Sequence, residues 1–74
     1  MSDFITRLGE EMDELAVKTG KLSNFLNTEH FNNIDEIQKG LLKIQYAAMV
    51  AYLSCLKERL IWLVASQNVE SKNK

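Results

Sequence analysis

Two apolar seams run along the segment from residue 34 to residue 65, and they constrain the fold of this 74-residue chain more than any other feature. At about 100° per residue, the seams lie roughly a third of a helical turn apart. One neighbouring helix can cover only one seam, so the other requires a second chain. The first seam consists of Leu42, Tyr46, Met49, Leu53, Leu56, Leu60 and Leu63. The second seam consists of Ile34, Ile37, Leu41, Ile44, Ala48, Cys55 and Trp62.

An earlier segment, from about Asp3 to Leu26, carries a single seam with steps of three and four residues. The sequence contains no proline, no period-two alternation and no Asn-Gly or Asp-Gly hairpin signal. These patterns predict an all-α fold: a hairpin of two long helices that assembles into a homo-oligomeric bundle. We label the helix predicted for this segment α1, and its seam, the α1 seam, consists of Ile5, Leu8, Met12, Leu15, Thr19, Leu22 and Leu26.

The connection between the two helices spans residues 27–33, and Phe31 is expected to form one extra short helical turn over the hairpin. Asn33 and Glu36 have the spacing of a capping box, which predicts the start of the second long helix. That helix is expected to end near Ala65. Residues 1–66 therefore form a single helical domain, and residues 67–74 form a polar C-terminal tail.

The shortness of the chain also favours association. Chains below roughly 70–80 residues usually need disulfides, a metal or partner subunits to be stable. Cys55 is the only cysteine and His30 the only histidine, so neither an internal disulfide nor a protein-only structural zinc site can form. Subunit association is the remaining means of stabilisation, and no metal is expected.

The charge and the motifs of the sequence argue against three other classes of protein: DNA-binding proteins, secreted or membrane proteins, and enzymes. A net charge of -1 argues against a DNA-binding protein, which normally carries a basic excess. No signal peptide and no membrane-spanning stretch are recognisable, so a cytoplasmic protein without membrane contact is expected. One histidine in a loop cannot assemble a Ser-His-Asp or Cys-His constellation, and no glycine-rich phosphate loop occurs. We therefore expect no enzymatic activity and no cofactor.

A line of polar side chains lies between the two seams of the second helix. Gln45, Tyr52 and Arg59 follow one another at intervals of seven residues. An unpaired polar group in an interface costs about 1–3 kcal/mol, so these groups require partners. Their partners could be acidic side chains of another subunit or an anionic ligand.

The order of residues from 4 to 60 resembles a family of small tailed-phage proteins, the crAss-phage-related group that includes the anti-CBASS cyclic-nucleotide sponges. The resemblance lies in an ordered set of short motifs rather than in any one of them. The motifs are Phe4, Arg7-Leu8, Glu11, Leu15, Lys21-Leu22-Ser23-Asn24-Phe25-Leu26, Phe31, Leu41-Leu42-Lys43-Ile44-Gln45, Met49-Val50-Ala51-Tyr52 and Leu56-Lys57-Glu58-Arg59-Leu60.

This resemblance implies a helical homo-oligomer, typically a hexamer, that binds cyclic di- or trinucleotides between its subunits. Such a sponge holds the messenger in the infected bacterial host without cleaving it, so the CBASS effector stays inactive. Two alternatives use the same seams without a nucleotide: a phage structural or scaffold module, and an inhibitor whose exposed seam captures a host protein.

Six residues are candidates for the cyclic-nucleotide site, and each also has a plainer interpretation. Lys21 is a phosphate contact or a lysine whose stem covers apolar surface. Arg59 and Arg7 bind phosphate or form ion pairs, and a salt bridge is favoured for Arg7. The aromatic candidates stack on bases or pack against the protein. The six are Phe4, Arg7, Lys21, Ser23, Tyr52 and Arg59.

Overall fold

The chain forms three helices in a computed structural model, which describes the backbone of residues 2–73 and the side chains of residues 3–66. The helices are α1 (Ser2–Leu26), α2 (Glu29–Asn32) and α3 (Glu36–Asn73). The described residues contain no strand. The predicted all-α fold is confirmed, whereas the homo-oligomeric bundle stays a prediction.

The α1 seam faces α3 along the hairpin. Leu8 and Thr19 are buried, and the other members of the seam are half-buried. Thr19, the seam's only polar member, donates its hydroxyl hydrogen to the Leu15 carbonyl oxygen at 2.7 Å. This bond within the helix satisfies the hydroxyl and lets a polar side chain lie inside the interface.

The two seams of α3 have different environments. Leu56 is fully buried, and every other member of the first seam is half-buried against α1. In the second seam, Ile34 is half-buried and all the other members are exposed. A single hairpin thus covers one seam, as the periodicity predicts.

The connection contains the extra helical turn expected around Phe31, which is confirmed as α2. Thr28 caps this turn, since its hydroxyl oxygen accepts the Phe31 N–H at 3.4 Å. The buried Phe31 ring meets Phe25 edge to face, with 6.1 Å between ring centroids. The Lys43 ammonium lies 5.9 Å from the Phe31 centroid. These contacts fix the closed end of the hairpin.

The capping box predicted for Asn33 and Glu36 is wrong. The carboxylate of Asp35 accepts the N–H groups of Ile37 at 3.0 Å and Gln38 at 3.2 Å, so Asp35 is the N-cap of α3. Asn33 instead forms the C-cap of α2, where its own N–H donates to carbonyl oxygens of that turn. One residue cannot end α2 and also begin α3.

The predicted helix end near Ala65 is also wrong, because α3 continues to Asn73. No proline or glycine follows Ala65 in the sequence, so nothing in this polar segment interrupts the helical backbone. The division into a domain of residues 1–66 and a tail of residues 67–74 stays a prediction. Lys74 lies outside the described residues.

The hairpin is a rod of 60 × 15 × 15 Å. Its radius of gyration is 17.2 Å, whereas a compact chain of this length has about 11 Å. A helix of α3's length spans about 57 Å, which accounts for the long axis. The shape leaves most of the second seam of α3 open along one side of the rod.

Candidate functional site

A groove of about 310 Å³ lies between the N-terminal half of α1 and the C-terminal half of α3. Its lining combines two basic, one acidic and two apolar side chains. Three of the six candidate residues, Phe4, Arg7 and Arg59, meet there. The full lining is Phe4, Arg7, Leu8, Glu11 and Arg59.

Helical spacing explains why α1 contributes four of these residues. Positions 4, 7, 8 and 11 lie on one face of a helix, since they are three or four residues apart. Leu8 belongs to the α1 seam and is buried, so it anchors this face to α3. Phe4 leaves 46% of its surface exposed, so its ring is accessible from the groove.

Tyr52 lies beside the groove and connects α3 to α1. Its phenol hydroxyl donates a hydrogen bond to the carboxylate of Glu11. This hydrogen bond raises the pKa of Tyr52, and desolvation and the negative charge of Glu11 add to the shift. The positive charge of Arg59 acts in the opposite direction. The phenol is therefore held in its protonated form.

The partner of Tyr52 corrects one expectation. The sequence predicts that the polar line of α3 finds its partners on another subunit or a ligand. For Tyr52, the hydrogen-bond acceptor is instead Glu11 of the same chain. All three members of the line are exposed. The amide of Gln45 has only a weak contact with the Met49 sulfur at 3.8 Å. Sequence periodicity gave no register between α1 and α3, so the Glu11 partnership could not be identified beforehand.

Among the side chains that the structure describes, neither arginine of the groove forms an ion pair. Among the side chains of residues 3–66, the one ion pair joins the Lys39 ammonium to the Glu36 carboxylate at 3.0 Å. Glu11, which lines the same groove as Arg7 and Arg59, is bound by the Tyr52 phenol instead. Two guanidinium groups are consequently available to an anion at this site.

Lys21 and Ser23 lie far from the groove in a single hairpin. Lys21 follows Arg7 by 14 residues, a distance of about 21 Å along α1. Around the helix, Lys21 is rotated by about 40° from Arg7 and Ser23 by about 160°. Lys21 thus shares the groove's side of α1, whereas Ser23 lies on the opposite side. The six candidates do not form one site within one chain.

The remaining chemically distinctive side chains do not cluster. His30 and Cys55 are both exposed. Within the described part of the chain, no three His, Cys, Asp or Glu side chains are grouped as a metal site would require. Its helices also lack an apolar stretch long enough to cross a bilayer.

Comparison with known proteins links the chain to phage proteins. The model of the Sequestin family matches residues 2–61, which include the groove and all six candidate residues. The chain is also 33% identical, over 60 residues, to an uncharacterised 7.5 kDa protein of the denB-rIIB intergenic region of Enterobacteria phage T4. That match covers 81% of this chain and 94% of the T4 protein. No solved structure matches the chain.

Proposed function

The chain belongs to the Sequestin family, and on that premise we propose that it binds and sequesters a cyclic di- or trinucleotide messenger without cleaving it. The family name denotes sequestration, and the similarity to a T4 protein supports a role in infection. In this proposal the ligand lies between subunits, and its removal keeps CBASS effectors inactive. The protein acts as a stoichiometric trap rather than as an enzyme.

The observation that carries this proposal is a pair of guanidinium groups, without an ion pair among the side chains of residues 3–66, beside an exposed aromatic ring. Arg7 and Arg59 line the same groove as Phe4. Guanidinium groups bind phosphate oxygens through paired N–H donors, and an aromatic ring stacks on a nucleobase. The carboxylate of Glu11 adds an acceptor for a base amino group or a ribose hydroxyl. This combination suits an anionic ligand that contains a base.

The size of the groove supports a site shared between copies of the chain. Its volume of about 310 Å³ is at the lower limit of typical small-molecule sites, which is enough for roughly one nucleotide unit. Two charge-assisted contacts and one base stack amount to about 4–9 kcal/mol. Nanomolar affinity requires about 12 kcal/mol. A cyclic dinucleotide bound by two grooves gains two such sets of contacts.

Calorimetric titration with a panel of nucleotides tests the proposal. The panel contains cyclic di- and trinucleotides together with cyclic and linear nucleotides that carry one base. We expect a cyclic di- or trinucleotide to bind tightly and to be recovered intact after denaturation of the protein. Arg59→Ala should weaken binding about 10- to 100-fold, because it removes a charge-assisted contact worth about 1.5–3 kcal/mol.

Lys57→Ala is the matched control for Arg59→Ala. It also removes one positive charge from an exposed position of α3, but Lys57 lies about 160° away around the helix. Binding by the control should equal that of the unchanged chain. The proposal fails if no nucleotide binds, or if both substitutions weaken binding equally, as a nonspecific charge effect would. A linear product recovered from a cyclic ligand would contradict sequestration without cleavage.

A second candidate function rests on the exposed second seam of α3. An apolar seam of this length can receive an amphipathic helix of a host protein or of a phage assembly. This alternative predicts that the protein binds no nucleotide of the panel. It also predicts that Arg59→Ala has no functional effect, which distinguishes it from the sponge.

A further inference from the structure

The groove carries one acidic side chain beside two basic ones. Among the described residues, its charged lining consists of Arg7, Glu11 and Arg59. Arg7 and Glu11 are four residues apart on α1, so their Cβ atoms lie about 5–6 Å from each other on one face of the helix. Arg59 reaches the same groove from α3. The three side chains give the groove a formal charge of +1 rather than the +2 of the arginines alone.

The Tyr52 phenol holds the Glu11 carboxylate at the edge of the groove. Its hydroxyl donates a hydrogen bond to Oε2 of Glu11. A hydrogen bond from a neutral phenol does not cancel the charge of a carboxylate, whose other oxygen remains an acceptor. Besides this hydrogen bond, the charges of Glu11 and Arg59 shift the pKa of the phenol in opposite directions. An anion in the groove is therefore attracted by two arginines and repelled by Glu11.

We propose that Glu11 makes the groove selective for phosphodiesters over terminal phosphate monoesters, an inference that rests on the proposed function. A phosphodiester carries one negative charge. A phosphate monoester carries nearly two at neutral pH, because its second pKa is about 6. One diester charge balances the formal charge of the groove, whereas a second charge stays unbalanced beside the Glu11 carboxylate. Removing such an unbalanced charge from water costs free energy.

This selectivity separates a cyclic messenger from linear nucleotides. Cyclic di- and trinucleotides contain phosphodiesters only, because ring closure leaves no terminal phosphate. Linear mononucleotides end in a phosphate monoester. A groove with two arginines and no carboxylate favours the monoester, since Coulomb attraction grows with the charge of the ligand. Glu11 thus keeps a stoichiometric trap from filling with linear nucleotides.

Two pairs of probes compare the phosphate classes while the base stays the same. The probes are adenosine 5′-monophosphate and guanosine 5′-monophosphate, each paired with the methyl ester of the same phosphate. NMR titration of the full chain at about pH 7.5, where the monoester carries nearly two charges, measures the affinity of each probe. We expect each methyl ester to bind at least as tightly as its monoester. A clear preference of the unchanged chain for the monoesters would overturn the proposal.

Glu11→Gln removes the negative charge but keeps an acceptor for the Tyr52 hydroxyl. Both members of each pair should bind this variant more tightly, and the monoester should gain more because it carries the greater charge. The ratio of monoester affinity to methyl-ester affinity should rise about 3- to 30-fold, the effect of one extra charge about 6 Å from the carboxylate. Glu11 is exposed, so the helical circular dichroism should stay the same.

Asp13→Asn is the matched control. It removes the same charge from an exposed position of α1, about 160° around the helix from Glu11. The affinity ratio of this control should equal that of the unchanged chain. An equal rise in both variants, or no rise in Glu11→Gln, including a failure to bind either monoester, would overturn selection by Glu11. The proposed function survives that result if cyclic nucleotides bind, and it fails together with this inference if they do not.

Discussion

The phenol of Tyr52 and the carboxylate of Glu11 form the polar link between α1 and α3 at the edge of the groove. Arg59 lies near the same phenol and opposes the shift in its pKa. Of the charged side chains that line the groove, two are basic and one is acidic. At the scale of single residues, Glu11 and Tyr52 thus position the groove, and Arg7 and Arg59 give it a preference for anions.

This link predicts a specific dependence of stability on pH. The pKa of Tyr52 is raised above its ordinary value of 10.0 in the folded chain, so folding favours the protonated phenol. The contribution is fully present below pH 10.0 and is lost as the pH rises through the raised pKa. Tyr52→Phe should therefore lose less stability than the unchanged chain across that alkaline range. Urea denaturation at several pH values measures the difference, and parallel profiles for the two chains would contradict it.

At the scale of helices, the 3.6-residue period was sufficient to predict which side of each helix is covered. The burial of Leu8 and Leu56 and the exposure of Ile37 and Trp62 follow from it. The boundaries were harder, because several residues between α2 and α3 have capping side chains. Asn33 and Asp35 both suit an N-cap, and only the geometry of the short α2 turn decides between them.

The cap of α3 gives a prediction with a close control. Asp35→Ala should destabilise the chain by about 1 kcal/mol, since it removes the acceptor for two N–H groups of the first helical turn. Asn33→Ala should have a smaller effect, because Asn33 contributes its backbone N–H to the end of α2. Chemical denaturation measures both variants. A larger loss for Asn33→Ala would restore the capping box that the structure rejects.

The two seams of α3 should respond differently to the same truncation. Leu56→Ala removes a fully buried side chain, and such changes cost about 2–5 kcal/mol, which is enough to unfold a small hairpin. Leu41→Ala, in the exposed second seam, should leave the helical signal intact and weaken association instead. Circular dichroism and sedimentation of both variants separate these effects. Unfolding by Leu41→Ala would show that the second seam stabilises the single hairpin.

At the scale of the whole molecule, the chain is a thin rod with few buried side chains. Leu8, Thr19, Phe31 and Leu56 are the buried residues among those whose side chains are described. So small a core favours association, because partner subunits supply the burial that a single hairpin lacks.

The candidate site could be predicted only in part from the sequence. Arg59 and Tyr52 were identified by their heptad spacing, and the structure brings them beside Phe4 and Arg7. Lys21 and Ser23 came from the resemblance, and a single hairpin keeps them apart from the groove. Periodicity describes one helix at a time, so it could not give the register between α1 and α3 or the arrangement of a second chain.

Sedimentation equilibrium of the purified chain at micromolar concentration shows whether copies of the chain associate through the second seam of α3. We expect a mass of at least twice the 8.5 kDa of one chain, and Ile44→Asp, which places a charge on the seam, should lower it to the mass of one chain. A helical, cooperatively folding species with the mass of one chain would contradict it. In that case the second seam would need no second copy, and the shared nucleotide site would not exist.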